Sequence, residues 1–460
     1  MPRPQKSGPS ADESYKLELR DAMSRFLPHG GLPLLSGDGR VRWTGRLLAM
    51  AAILMTWSPS ATLTDRFTLA RAALVDIYRT RRRPGASVEG FFRALTGPGV
   101  AVLAMLCEHW RQCLRKIAGE HWKIEGWLVV GVDGSKFDCP RTAANEAGLG
   151  VSGKNNSGPQ QLLTCLFHVA SGVLWGWTRG PIQGDSERAQ LRRLLHLLPA
   201  AAMLLADAGF HGYDLCKSLL GRGNSFLIRV GSNVKLIQKL GYATIERKQT
   251  VYLWPLKKQG RNRRSMPMGL EKVCEPLVLR LIELKDAKGR PVFLLTNVLD
   301  PRQLSDRAAA RMYRLRWGVE VMWRSLKQTM GHHKVLSRTP ERAAAELDWA
   351  MAGLWMLQLL ASARMIQTGR APTCHSPAQT LRVLHGVLTG RRRRRKSLAT
   401  ALGLATKDTY RRLGSKTARH YPKKSSQHPP GAPEARMATA IEKRLIQRFL
   451  AEQLAKSDAA

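Results

Sequence analysis

Cysteines are few in this 460-residue chain, and acidic residues are few beside basic ones. Asp and Glu total 34 against 74 Lys and Arg, a formal net charge of +40. Hydrophobic residues make up 44%, enough to fold, so the charge marks a globular protein that attracts polyanions rather than a wholly disordered polymer. Nucleic acid is the first partner such a surface suggests, and an anionic membrane the second. The seven cysteines are odd in number and include no Cys-x2-Cys pair, which excludes a disulfide scaffold and a zinc ribbon. A reducing cytoplasm fits. Long apolar runs are also missing: Leu47 to Trp57 and Trp349 to Ala361 count 11 and 13 residues, short of the roughly 20 that span a membrane. Both read as buried core helices. Met1 to Lys16 is polar and has no signal-peptide core.

The length suggests roughly three folding units. Up to residue 125 the pattern is helical, with apolar stripes in Arg46 to Trp57, Asp65 to Tyr78 and Val100 to Ile117. Four arginines lie between Arg79 and Arg83, and short helices with basic connectors suit a helix-turn-helix-like reader of DNA. From Trp127 the period changes. Trp127 to Val132 is a continuous apolar run ending at Asp133, and Ala202 to Ala206 is another ending at Asp207; both look like central buried strands. Leu162 to Val169 and Val173 to Thr178 read as a hairpin, Ser186 to Leu198 and Tyr213 to Leu220 as helices, and Phe226 to Val230 as a strand. The resulting order, β-β-β-α-β-α-β, indicates an α/β fold with a mixed sheet flanked by helices. Residues 232–299 break that alternation with strand-like runs around a basic loop (Lys257, Lys258, Arg261, Arg263, Arg264), expected to be an inserted β-rich subdomain. One long helix is expected from Asp306 to Met330, capped by Ser305 and stopped by Gly331. A further apolar helix covers Leu347 to Ile366, before six basic residues, Arg391 to Lys396, and a polar tail.

Asp133 and Asp207 each end an apolar strand, where open sheets present functional groups. In the long helix Tyr313, Arg316, Glu320 and Lys327 stand at offsets 0, 3, 7 and 14, within an arc of roughly 60° at about 100° per residue. That stripe is either a solvated face with an Arg316–Glu320 pair, or a carboxylate facing a metal among cations facing phosphates. Phosphodiester chemistry has these needs: paired Mg²⁺ ions require hard carboxylate oxygens, and arginine and lysine hold the backbone.

At this point the residues resemble a family. Tyr-x2-Arg-x3-Glu-x6-Lys, preceded by Asp133-Gly134-Ser135 and Asp207-Ala208-Gly209-Phe210, looks like the bacterial insertion-sequence transposases of family 4, which are DDE enzymes. The resemblance spans about Trp127 to Trp355. It implies a ribonuclease-H-like catalytic core over residues 126–345, with the insertion at 232–299 between the second and third acids. A helical DNA-binding domain (1–125) would precede it, and a helical region (346–390) and basic tail (391–460) would follow. It implies Asp133, Asp207 and Glu320 as the metal-binding triad, Mg²⁺ as cofactor with Mn²⁺ as substitute, and Tyr313, Arg316 and Lys327 on the transposon end. Trp254 is the candidate for stacking on a flipped base. The implied partners are terminal inverted repeats and target DNA, bound by a homodimer in the cytoplasm, at the nucleoid, with no membrane.

Other motifs compete. Gly148 to Lys154 matches two nucleotide-binding patterns, but Asn155 replaces the Ser/Thr that would ligate Mg²⁺. A flexible loop fits better. His332-His333 reads as a polar cap past a helix end, or else as metal ligands. Arg391 to Lys396 lacks the apolar face of a membrane-binding helix and adds non-specific DNA affinity. Asp138, Asp185 and Glu187 are rival acids in loops. A stand-alone nuclease of the same fold and a non-catalytic DNA-binding regulator remain alternatives.

Overall fold

The computed structural model describes residues 11–28, 31–32, 43–78, 83–151, 158–232, 234–238, 249–254, 256–257, 266–267, 276–286, 289–390, 396–408 and 431–441, with a few positions up to 451. Most of the connector 79–83, the glycine-rich 152–157, the basic loop 258–265, Arg391 to Arg395 and the tail 409–430 lie outside the described residues.

Five helices come first: α1 (Ala11–Ser24), α2 (Gly45–Thr56), α3 (Leu63–Ile77), α4 (Val88–Thr96) and α5 (Gly99–Ala118). Strand β1 (Val129–Asp138), helix α6 (Ala143–Leu149), strands β2 (Gln160–His168) and β3 (Val173–Pro181), helix α7 (Glu187–Leu194), strand β4 (Met203–Ala206), helix α8 (Tyr213–Gly221) and strand β5 (Ser225–Val230) follow. The expected alternation is therefore present, with α6 added. Strands β6 (Lys235–Gln238), β7 (Thr250–Leu253), β8 (Leu256–Lys257), β9 (Met266–Pro267), β10 (Leu277–Lys285) and β11 (Pro291–Thr296) precede helices α9 (Asp306–Leu315), α10 (Trp317–Arg324), α11 (Pro340–Gln367), α12 (Pro377–Leu388) and α13 (Leu398–Leu404), and strand β12 (Glu434–Met437).

These elements form two compact units. The first comprises Met1–Lys123, Gly134–Gln190 and Gly318–Tyr410. Its centre is α11, a 28-residue helix apolar enough by composition to cross a membrane, with 83% of its most apolar window buried. A helix apolar all round needs cover on every side, and α2, α4, α5, α12 and α13 supply it. The helices expected as separate regions at 1–125 and 346–390 thus share one core. Gly353 lets α2 approach closely, and the Trp57 indole donates to its carbonyl at 2.9 Å. Trp110 and Trp177 meet Trp355 edge-on, with centroids at 5.4 and 6.1 Å, geometry favoured by ring quadrupoles. The antiparallel β2–β3 hairpin is tied to the same helix, because Trp177 Nε1 and Arg179 Nε both donate to the Asp348 carboxylate at 2.9 Å.

The second unit comprises Ile124–Asp133, Leu191–Trp317 and Arg411–Ala460. Its strands run in the order β12-β6-β7-β10-β11-β5-β4-β1. β1, β4 and β5 are mutually parallel, and β11, β10, β7 and β6 continue antiparallel from β5. The residues 232–299 expected as an inserted subdomain therefore extend the main sheet, apart from the small β8–β9 pair. Pairing β11 along β5 satisfies a strand edge that would otherwise expose its backbone donors and acceptors. Buried Arg280 on β10 locks the start of α9: it donates to the Leu304 carbonyl at 2.7 Å and pairs with Asp306.

Candidate active site

The parallel register sets the site. Val129 pairs with Met203 and Gly131 with Leu205, so two residues further on Asp133 aligns with Asp207. Met203 pairs with Ser225 and Ala206 with Ile228, so the next step aligns Asp207 with Arg229. In-register side chains of parallel strands share a face, on strands about 4.8 Å apart. Val129, Val130, Val132 and Met203 to Ala206 are fully buried, whereas Asp133, Asp207 and Arg229 are half-buried. The apolar runs thus anchor the strands and the polar residues begin where cover ends. Asp207 also caps the 3-10 turn Ala208–Phe210, its Oδ1 accepting from the Gly209 amide at 2.8 Å, and buried Phe210 pins that turn. One carboxylate oxygen is held by its own loop, which fixes the direction of the other.

Tyr313 belongs to this strand end. Its hydroxyl donates to the Ala206 carbonyl at 3.4 Å, immediately before Asp207. Burial pushes its phenol up to about 12, against the pull of Arg316 and Arg229, so the hydroxyl stays protonated. The Arg316 guanidinium lies 5.8 Å from the Tyr313 ring centroid, within cation–π range.

The single helix expected over Asp306 to Met330 is not continuous. At Arg316 the amide bonds back to the Tyr313 carbonyl at 3.1 Å, three residues rather than four, and α9 ends. After α10 the chain forms a π-helical turn, Ser325–Thr329, closed by the Met330 amide on the Ser325 carbonyl at 2.9 Å. Ser325 Oγ donates to the Val321 carbonyl at 2.9 Å, a back-bond that bends helices. Ideal helical spacing therefore does not place Lys327. Its ammonium instead donates to the Lys136 carbonyl at 2.6 Å and lies 4.5 Å from the Phe137 ring centroid, on the outer half of β1. Burial lowers its pKa, and Asp138 opposes that shift. Glu320 is half-buried on α10, in the unit that holds Lys327. Gly318 lets this helix pack close to Phe167 of β2, where a Cβ would come within 2.9 Å of the ring.

Of the residues singled out in the sequence, register joins Asp133 and Asp207. Among the described residues no group of three His, Cys, Asp or Glu side chains is assembled to hold a metal ion. The strand expected to end at Asp133 runs on to Asp138, so Asp133 stands within β1 and Asp207 just past β4; the two carboxylates are nevertheless the hard oxygen donors that Mg²⁺ or Mn²⁺ requires. Trp254 is half-buried just beyond β7. Of the rival acids expected in loops, Asp138 ends β1 and accepts from Gln160, and Asp185 accepts from Ser186 and Gln190, whereas Glu187 begins α7 and packs its carboxyl on Gly134, next in sequence to Asp133. His332 is buried with Nε2 on the Thr56 carbonyl at 3.0 Å, which is an anchor, not an open ligand. Gly148 and Leu149 end α6 and Gly150 caps it, so a helix leads into this motif where a phosphate loop follows a strand. Arg229 was missed in the sequence. The only signal for it was a charged residue inside the apolar run Phe226 to Val230.

Residues 182–357 match the family model described as Transposase DDE domain, a span that contains every singled-out site residue except Asp133. The chain is 26% identical over 237 residues to "Transposase InsG for insertion sequence element IS4" of Escherichia coli (strain K12). That match covers 49% of this chain and 50% of the relative, so it spans about half the length of the curated protein. A cryo-EM structure of a piggyBac transposase synaptic complex with hairpin DNA aligns over 88% of this chain and 84% of its own, at 13% identity and a TM-score of 0.39.

Proposed function

Signature, family model and curated relative agree that this chain resembles the DDE transposases of insertion-sequence family 4, and from that premise we propose that it cleaves and joins DNA at transposon ends. The reading rests chiefly on one observation, the alignment of Asp133, in the middle of β1, with Asp207, just past the end of the adjacent parallel strand β4. The family resemblance adds Glu320 as the third carboxylate and a ribonuclease-H-like description of the core.

Asp133, Asp207 and Glu320 would hold the divalent cation, Mg²⁺ with Mn²⁺ as substitute, which supplies Lewis-acid activation of the attacking oxygen and stabilises the leaving one. The protein's own part is to position. Asp207, held by the Gly209 amide, keeps a fixed orientation; Tyr313 braces the strand behind it; Arg316 and Lys327 bring cations to the DNA backbone. Water attacks phosphorus at the transposon end, the P–O3′ bond breaks, and the 3′-oxygen leaves with a proton. The freed 3′-hydroxyl then attacks a target phosphodiester, exchanging one P–O bond for another without a covalent protein intermediate. Two ends require two such sites, so the working form is a homodimer on terminal inverted repeats, in the cytoplasm at the nucleoid. The net charge of +40 supports non-specific DNA affinity, and the helices of 1–125 are assigned to end recognition.

The test incubates purified protein with DNA carrying the sequences that flank this coding region, with Mg²⁺ or EDTA, and maps products at nucleotide resolution. Metal-dependent cleavage and joining at both ends are expected. Asp133→Asn, Asp207→Asn and Glu320→Gln should each abolish them while leaving end binding intact. Cleavage without joining identifies a nuclease, and binding without cleavage under all conditions a regulator.

A further inference from the structure

We propose that Glu346, on the central helix α11, is a positioning residue for this active site. It holds the segment 331–337 that follows the π-helical turn, and so fixes where Lys327 and Glu320 stand. The proposal rests on the transposase reading above and adds to it a residue that touches neither DNA nor metal.

Glu346 is 8% exposed on a helix whose neighbouring turns are sealed by Ala343, Leu347 and Ala350, each at most 2% exposed. A carboxylate at that depth is costly unless its oxygens are met. Main chain meets them: the Leu336 amide donates to Oε1 at 3.0 Å and to Oε2 at 3.1 Å, and the Ser337 amide donates to Oε2 at 2.8 Å. Leu336 and Ser337 belong to no helix or strand, and buried amides outside such ladders need an acceptor from elsewhere. Burial pushes the Glu346 carboxyl up, while the two amides and Arg66 of α3 pull the other way. A neutral amide of the same length would bring one oxygen in place of two.

The held segment closes on the site residues. Val335, next in sequence to Leu336, donates its amide to the Asp138 carbonyl at 2.9 Å, beside the bridge between Asp138 and Lys334. Two residues back along β1, the Lys136 carbonyl takes the Lys327 ammonium at 2.6 Å. At the other end of the segment the His332 amide donates to the Leu326 carbonyl at 3.1 Å, which ties it to the turn that carries Lys327. Helix α10, with Glu320, runs into that turn. The contacts form a closed circuit, Lys327 to Lys136, Asp138 to Val335, and Leu336 to Glu346, and Glu346 is its anchor in the buried centre of the unit. Released from Glu346, residues 335–337 lose their fixed place on β1, and Lys327 and Glu320 lose theirs with it.

The experiment compares wild type, Glu346→Gln, Glu346→Met, Lys327→Met and the double variant Lys327→Met/Glu346→Met in the full chain. Amide hydrogen exchange over residues 331–338 is read against exchange in α2 and α5, and single-turnover cleavage of end DNA is titrated with Mg²⁺. Glu346→Met should exchange faster over 331–338 alone and cleave about 10²-fold slower at saturating DNA, the cost of a small misplacement. It should also need about 10-fold more Mg²⁺ for half-maximal rate, as when a partner behind a metal ligand is lost. Glu346→Gln keeps one oxygen and should fall between Glu346→Met and wild type. The double variant should lose less than the product of the two single losses, because residues acting through one network couple. Melting curves identify a misfolded variant, and if Glu346→Met does not fold, Glu346→Gln decides by the same readings. A folded variant that exchanges faster over 331–338 yet keeps the wild-type rate and Mg²⁺ midpoint overturns the proposal alone. Exchange that is unchanged there, or that rises equally in α2 and α5, does the same. A wild type that neither binds nor cleaves these ends overturns the transposase reading and the positioning role with it.

Discussion

Acidification should unfold the helical unit through three histidines, and His332 permits the sharpest test. Its ring is 4% exposed, donates from Nε2 to the Thr56 carbonyl, and is held neutral by burial and by Arg66, so its pKa falls to about 4. His168 and His375 are lowered to about 4 by burial as well. The sign follows from proton counting: with the folded pKa below the unfolded value of about 6.5, the unfolded chain binds more protons between those values, and stability falls as pH drops through that window. For one such histidine the loss between about pH 7.5 and about pH 5 is about 2 kcal/mol, and three give about 6. Urea unfolding followed by tryptophan fluorescence reads this unit, which holds Trp57, Trp110 and Trp355 fully buried. His332→Gln should cost about 1–2 kcal/mol at neutral pH through the weakened anchor, yet flatten the pH dependence by about 2 kcal/mol. An unchanged pH dependence in His332→Gln would refute the reasoning. A steeper one would mean that the ring is charged in the fold.

Gly353→Ala should destabilise the same unit by about 1–3 kcal/mol, since a methyl there overlaps the Thr56 hydroxyl where α2 meets α11; denaturant midpoints check it, and an unaltered midpoint would mean the two helices can part. Lys327→Met retains the aliphatic stem over Phe137 but removes the ammonium from the Lys136 carbonyl. One donor of three is committed there, so loss of a phosphate contact should lower the salt slope of end binding by about 0.9. A full slope would confine Lys327 to bracing β1.

Local pattern was legible wherever burial is local. Apolar runs at Val129 to Val132 and Met203 to Ala206 mark buried strands wherever those strands pair, and the acid after each is visible because it interrupts the run. Partnership is not visible in the same way. Nothing in Leu277 to Leu284 or Val292 to Leu299 says whether those strands make their own sheet or add to an existing one; β11 joins β5 because that edge needs a partner. The helices α2, α5 and α11 each show an apolar face, but only the all-round burial of α11 reveals that residues hundreds of positions apart form one core.

The candidate site shows the same division more sharply. The Tyr-Arg-Glu-Lys spacing could be read because motif positions are sequence facts, yet the inference that ideal helical geometry aligns the four side chains fails at Arg316 and at the π turn. Two deviations from 3.6 residues per turn suffice to break a phase argument carried across 14 residues. Arg229 failed to stand out for the opposite reason. A charged residue in a short apolar strand reads as an irregularity until the neighbouring strand is known, and its meaning comes from register with Asp207, 22 positions away in sequence. Strand register is set by long-range pairing and shifts every side chain to the other face when it slips by one. A site built across neighbouring strands is therefore specified by the sheet, while the single-residue pattern identifies only which side chains are candidates for it.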